Sequence, residues 1–494
     1  MIPHSDPKIV TRRSGVRPWL KLCQLAFVCL GFLRMVTPIT AQTVESVYSF
    51  VNGGFTSPRN PRGDLTLGKD GNLYGTTYIG GTGGFGTVFK LTTQGVLTVL
   101  ANFEPSILGG DPNGGLAIGA DGSIYGTTYF FGAGSFGTVF RVAPDGTATV
   151  LHSFSQVTYS GNIGSNSDGA SPKAGLTFGP DGFLYGVTSQ GGPNGSGTIF
   201  KMTTGGELTT LFAFDAYKGC PSRNTTGGNP YGRLVFDSRG NIYGTTSGGG
   251  TNSGGTLFRL GTNGMFTAFV HFNYINGYAP QSGMVFAPDG NLYGTTENGG
   301  SKGAGTLFRL TPEGELTTLV NFEDQTGNSP IGGLTVGPDG NLYGTTSNGG
   351  INPPGYTGTA FRMTLGGDLT VLADLTPGIG SDGGLTLGPD GNFYGTSPNG
   401  GPNGQESPGI VFRLNPGLDL LPRPTDITWN SGGISLTLAG TDGTTNLLRA
   451  SADPSLPLSQ WQVISTNVAS DGSFRFTDPN TGGFQRKFYR FSAP

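Results

Sequence analysis

The chain has 494 residues, of which 91 are glycine and 33 proline, about a quarter together. Only 12 % of the residues are charged and the net charge is −3, which excludes a long coiled coil or a charged tail protein. So much glycine and proline without a period would mean disorder; with a period it means short strands joined by tight turns, and a core divided among many small units.

The first element is a targeting segment. Lys8, Arg12, Arg13, Arg17 and Lys21 precede an apolar run from Leu22 to Leu33, broken by Gln24, and Pro38, Thr40 and Ala41 follow. Basic, apolar and small residues in that order predict a secretory signal peptide over 1–41, cleaved after Ala41. The run is short of the ~20 residues a membrane span needs. A secreted or cell-envelope location is therefore expected, with no span left after cleavage. Removing the segment takes out six of the 28 basic side chains and one of the 31 acidic ones, leaving a net charge of −8. A phosphate backbone would be repelled, so no nucleic-acid partner is expected. Cys23 and Cys29 leave with the segment and Cys220 stays alone, so no intrachain disulfide is expected.

One unit then recurs seven times, with its tyrosine at Tyr74, Tyr125, Tyr185, Tyr243, Tyr293, Tyr343 and Tyr394 and spacings of 51, 60, 58, 50, 50 and 51. The fifth unit reads as four strands. Met284 to Ala287 is followed by the turn Pro288-Asp289-Gly290-Asn291 and the strand Leu292 to Thr296. A glycine-rich loop then leads to Thr306 to Leu310, and a Thr-Pro-Glu-Gly turn to Leu316 to Phe322. Short strands broken by Asp-Gly and Pro-x-Gly are antiparallel hairpins, and no stretch keeps a helical period. Seven such sheets predict a seven-bladed β-propeller over 42–417, because radial closure protects the edges; an open solenoid usually has a shorter period. The ends of the array favour closure. The seventh unit stops after its third strand, Ile410 to Leu414, while Glu45 to Phe50 matches the fourth strand Ala148 to Phe154, so the N-terminal segment is expected to complete the last blade.

Tandem units of the form GPDGNLYGTT…GTVFRLTP resemble the GloVer repeat family of Gloeobacter and Verrucomicrobia, over about 370 residues; unit four departs, with Ser238-Arg239-Gly240 in place of Pro-Asp-Gly. The resemblance implies a secreted bacterial repeat protein and brings no catalytic residues with it.

After a predicted linker at 418–425 the period is lost. Alternating runs over 426–494 predict a small β-sandwich with Trp429 and Trp461 in its core. With its Phe488-Tyr489-Arg490 strand it resembles the C-terminal module of many secreted verrucomicrobial proteins.

Candidate chemistry is sparse. Each Asp-Gly turn offers one carboxylate, whereas calcium takes six to eight oxygens, so the turns read as hairpin geometry. His152 and His271 fall in fourth strands, away from any cleft suited to zinc or a Ser-His-Asp site. The glycine-rich segments lack the strand-to-helix context of a phosphate loop. No metal or other cofactor is expected.

Both tight turns of a blade share one face of the propeller. The opposite face carries the loops between second and third strands and the crossovers between blades, which vary in length. Aromatic residues gather in these segments, among them Tyr129, Phe130, Phe131, Tyr159, Tyr217 and Tyr231. At the start of the innermost strand five units have glycine, but unit one has Asp64 and unit four Arg233, a pair expected to face across the channel mouth. These eight residues are the candidate ligand-binding set. The expected function is non-catalytic recognition or scaffolding by a monomer, binding extracellular glycan or a surface protein through the variable face. The alternative is a propeller hydrolase or lyase acting on polysaccharide, which would require paired carboxylates at the channel.

Overall fold

The computed structural model describes residues 43–494 except 162, 219–223, 351–356, 376–379, 401–407, 417–423, 431–432, 440–444, 452–461, 469–472, 479–487 and 493–494. The predicted signal segment, Cys220 and Trp461 lie outside the described residues, as does the side chain of Trp429.

Every regular element described is a strand, and seven four-stranded antiparallel sheets form the blades of a β-propeller. In blade five the strands are Val285–Phe286, Leu292–Thr296, Thr306–Leu310 and Leu316–Asn321, paired in chain order from the channel outward. The innermost strand is shorter than predicted because Ala287 already closes the turn, donating its N–H to the Asn291 carbonyl at 3.0 Å.

The repeated residues have separate physical roles. The second strand is buried along its whole length, because its blade is covered on both faces. Gly294 within it lies under the Phe308 ring: a Cβ there would sit 2.6 Å from the phenyl Cζ. Thr296 and Thr306 hydrogen-bond across the strands at 2.9 Å. The turn carboxylate of Asp289 accepts from the Asn291 backbone N–H (3.1 Å), its side-chain amide (2.8 Å) and the Tyr293 hydroxyl (2.7 Å), all within the hairpin.

Seven apolar clusters lie one at each interface between blades. Threonine hydroxyls of the second strands add a ring of bonds to the next blade, such as Thr295 to the Pro330 carbonyl at 2.7 Å. The ring is closed. Thr43–Ser49 pairs antiparallel with Ile410–Asn415 as the outermost strand of blade seven. Its irregularity between Ser46 and Tyr48 reproduces the one opposite Val88 and Phe89 in blade one. Phe50 then fills the blade seven to blade one cluster with Leu65, Leu73, Phe89, Leu91, Tyr394 and Val411. Thr396 and Thr386 of blade seven donate to the carbonyls of Gly63 (3.0 Å) and Leu65 (2.6 Å) in blade one.

One addition was not predicted: a hairpin of Thr158–Ser160 and Ile163–Ser165 in the crossover from blade two to blade three. In the C-terminal region Pro424–Asn430, Gly433–Ala439 and Ser473–Asp478 form one three-stranded sheet. Gln462–Val468, Thr445–Ser451 and Phe488–Ser492 form another.

Candidate ligand-binding site

The first strand of each blade is reached through a rigid turn. In six blades the residue before a proline takes left-handed backbone: Asn60 (φ 56°), Asp111 (60°), Ser171 (55°), Asn229 (54°), Ala279 (54°) and Ser329 (54°). Few residues other than glycine adopt that region without compensation. Here both backbone groups are engaged. The Asp111 N–H donates to the Phe85 carbonyl of the preceding blade at 3.1 Å, and its own carbonyl accepts from the Tyr129 N–H at 3.2 Å.

This turn aims the residue after the proline at the channel. Arg62, Asn113, Lys173, Tyr231, Gln281 and Ile331, with Asp382 in blade seven where Ser381 replaces the proline, all line one cavity of about 170 Å³. Sequence reasoning missed this ring apart from Tyr231. The signal was present: the residue after the proline differs in every unit while its neighbours repeat.

The ring is electrostatically unfinished. The Arg62 guanidinium lies 4.4 Å over the Tyr78 ring, yet its buried Nε has no hydrogen-bond partner among the described residues. The Lys173 ammonium sits 4.3 Å over Tyr231. Burial pushes Lys173 down from the usual lysine range; Asp382 opposes that shift and Arg62 adds to it. Burial pushes the Asp382 carboxyl up, against the pull of Arg62 and Lys173. Among the described residues neither Lys173 nor Asp382 has a hydrogen-bond or ion-pair partner. Asp111, outside the cavity lining, is also raised by burial, with Tyr78 and Arg62 drawing it back down, and Glu297 accepts from the Gln281 amide.

Asp64 and Arg233 line the same cavity, but both are committed to backbone. Asp64 Oδ1 accepts from the Gly384 N–H at 2.6 Å. Arg233 is half-buried by surface, but protein packs closely around its guanidinium, which donates to the carbonyls of Leu176 (2.7 and 3.0 Å) and Leu116 (2.5 Å). The reason lies two blades away. Thr66 and Thr177 donate from first strands to the next blade's Leu116 and Leu234 carbonyls at 2.8 and 2.9 Å; blade two has Ala117 at that position, and Arg233 supplies the donor that Leu176 would otherwise lack.

The other aromatic candidates divide. Tyr129 packs edge-on against Phe130 at 4.3 Å, and Phe131 against Phe85 of blade one at 5.0 Å. Phe130 is 41 % exposed. Phe131 holds φ at 67° where the aligned residues of the other six blades, Gly80, Gly191, Gly249, Gly299, Gly349 and Gly400, are glycines, also left-handed. Tyr217 donates to Asn229 Oδ1 at 2.5 Å, which fixes it in the frame. Tyr159 is exposed on the added hairpin, apart from these contacts.

His152 meets Asp168 (Nε2 to Oδ2, 2.9 Å), and the Ser155 hydroxyl donates to the same carboxylate. The carboxylate is central and the serine does not reach the histidine, so no activated nucleophile results. Burial raises the Asp168 pKa, but the bonds from His152 and Ser155 outweigh it and hold the group below the usual carboxylate range. His271 Nδ1 accepts from the Thr251 N–H at 3.3 Å.

A closed seven-bladed β-propeller with a dissimilar polar and aromatic ring at one end of its channel is thus the class of protein these residues define. The chain belongs to the Gloeobacter/Verrucomicrobia repeat family, which matches residues 31–224 and 220–383. No curated protein matches it. Similar solved structures include a putative 6-phosphogluconolactonase from Bacteroides fragilis (18 % identity, TM-score 0.44, covering 68 % of this chain and 96 % of that one). A gluconolactonase from Xanthomonas campestris is 13 % identical, with a TM-score of 0.38 over 76 % of this chain and 90 % of that one. The extracellular domain of a putative hybrid two-component system from B. thetaiotaomicron is 12 % identical, with a TM-score of 0.46 over 88 % of this chain and 53 % of that chain.

Proposed function

We propose that this is a secreted, non-catalytic recognition protein that binds glycan on the variable face of its propeller, centred on the channel mouth. The observation that carries the reading is the ring itself: seven different side chains on a frame that otherwise repeats, with polar groups that have no hydrogen-bond partner among the described residues beside the faces of Tyr78 and Tyr231. A rigid frame with dissimilar side chains at its open end is where binding is usually found. A sugar offers both an apolar face for aromatic rings and hydroxyls for the open donors and acceptors. Left-handed strain at Phe131 adds support, since strained residues gather at functional positions. Two or three aromatic contacts at about 1 kcal/mol each give millimolar-range affinity, so retention at a surface would rest on avidity.

A hydrolase or lyase acting on polysaccharide at the same cavity is the second reading. One observation favours it: a raised Asp382 and a lowered Lys173 face one space, as an acid–base pair would. A glycan array with the full chain, run beside a reducing-sugar release assay, separates the two. Binding without release is the expected result; release selects the enzyme, and an empty array with no release refutes both.

A further inference from the structure

Five charged side chains line the mouth: Arg62, Lys173 and Arg233 against Asp64 and Asp382, a net charge of +1. Arg233 and Asp64 are bound to backbone and balance one another. That leaves two cations and one carboxylate open to a ligand. Asp111 and Glu297 stand behind the lining, beside Tyr78 and Gln281, and bring the wider sum to −1, so the preference rests on the position of Arg62 and Lys173 in the lining and not on net charge. Arg62 and Lys173 are also close enough to repel. A shared anion relieves that repulsion and meets donors that have no hydrogen-bond partner among the described residues, and such charge-assisted bonds are the strong ones.

We propose, resting on the glycan reading above, that the mouth selects a carboxylate-bearing sugar. The carboxylate is held by Arg62 and Lys173, the hydroxyls meet Asp382, and the apolar ring face lies along Tyr231 of the lining. The cavity of about 170 Å³ is well below the ~300–1,000 Å³ of drug-sized sites, so it takes one terminal residue rather than a stretch of chain. Selection follows from mismatch. A neutral sugar brings Arg62 and Lys173 no charge beyond what Asp382 already supplies, and an amino sugar adds a further cation beside them.

The test is calorimetry of the full chain with galacturonate- and glucuronate-terminated oligosaccharides and with their methyl esters, which keep size and hydroxyls and lose the charge. The acids are expected to bind roughly ten- to a hundredfold tighter than the esters. In Arg62→Gln/Lys173→Gln that ratio falls toward one while ester binding persists; Lys173→Gln alone serves if the double variant fails to fold. Equal affinity for acid and ester overturns the selectivity and leaves the glycan reading standing. Binding of neither overturns the proposal, and the glycan array then decides the glycan reading by itself. A preference for acid that survives intact in folded variants places the carboxylate elsewhere and also overturns the proposal.

Discussion

The N-terminal strand Thr43–Ser49 carries the last blade, and the cost of losing it follows from the structure. Phe50 is 4 % exposed in the cluster between blades seven and one, with Phe89 edge-on at 5.8 Å. Truncating such a phenylalanine costs about 3–5 kcal/mol. Phe322, at the same place in blade five and fully buried, is the control: if the borrowed strand is a true member of its blade, Phe50→Ala and Phe322→Ala destabilise alike. Deleting 43–50 removes more. The ladder from Thr43↔Asn415 to Ser49↔Ile410 goes, together with the Glu45–Arg413 ion pair at 2.5 Å, and the edge Ile410–Asn415 is exposed. The pair is surface-exposed and contributes roughly 0.2–1 kcal/mol, so the ladder and Phe50 dominate. Set against total stabilities of about 5–15 kcal/mol, the deletion should leave a barely folded, self-associating chain. Urea unfolding followed by fluorescence, with light scattering for association, measures both effects. A synthetic peptide of residues 43–51 added in trans should restore part of the loss. An unchanged urea midpoint in a monomeric truncated chain would refute the closure argument, as would a Phe50→Ala cost far below that of Phe322→Ala.

Arg233→Met should lower stability by about 1–3 kcal/mol, because it strips the donor from the Leu176 carbonyl, and adding Ala117→Thr should recover part of that in urea melts by restoring the threonine bond found in blades one and three. Phe131→Gly relieves about 1–2 kcal/mol of left-handed strain and forfeits a ring contact of about 0.5–1.5 kcal/mol, so thermal stability should change little while glycan affinity falls; unchanged affinity removes Phe131 from the site. Tyr74, Tyr293 and Tyr394 are pushed up to about 12, by burial first and then by the turn aspartates beside them. Their folded pKa values exceed the unfolded value, so their contribution is complete below pH 10 and is lost as pH rises from 10 through about 12. Near-ultraviolet tyrosinate absorbance and melts across that window check it, and a normal titration of these tyrosines with flat alkaline stability would contradict the assignment.

The seven-unit period, the four strands of each unit and the borrowed first strand all follow from local rules of turn chemistry, alternation and repeat spacing. A blade is built almost wholly from neighbours in sequence, so its elements are written within about 50 residues of chain. The reading of the Asp-Gly turns as hairpin geometry has the same origin, since Asp289 meets partners two and four residues away. Its boundaries were harder. The first strands shrink to two residues because turn and crossover bonds claim their ends.

What the chain alone does not express is how seven distant units meet around one axis. Arg233 and Asp64 stood out as irregular, but their roles depend on carbonyls 57 and 117 residues away for Arg233 and on a backbone amide 320 residues away for Asp64. Ring closure brings those groups together. The same holds for Arg62, Lys173 and Asp382, which are separated by more than a hundred residues yet line one cavity. Local residue chemistry determined the blades; only closure of the propeller decided which side chains were left facing each other at its mouth.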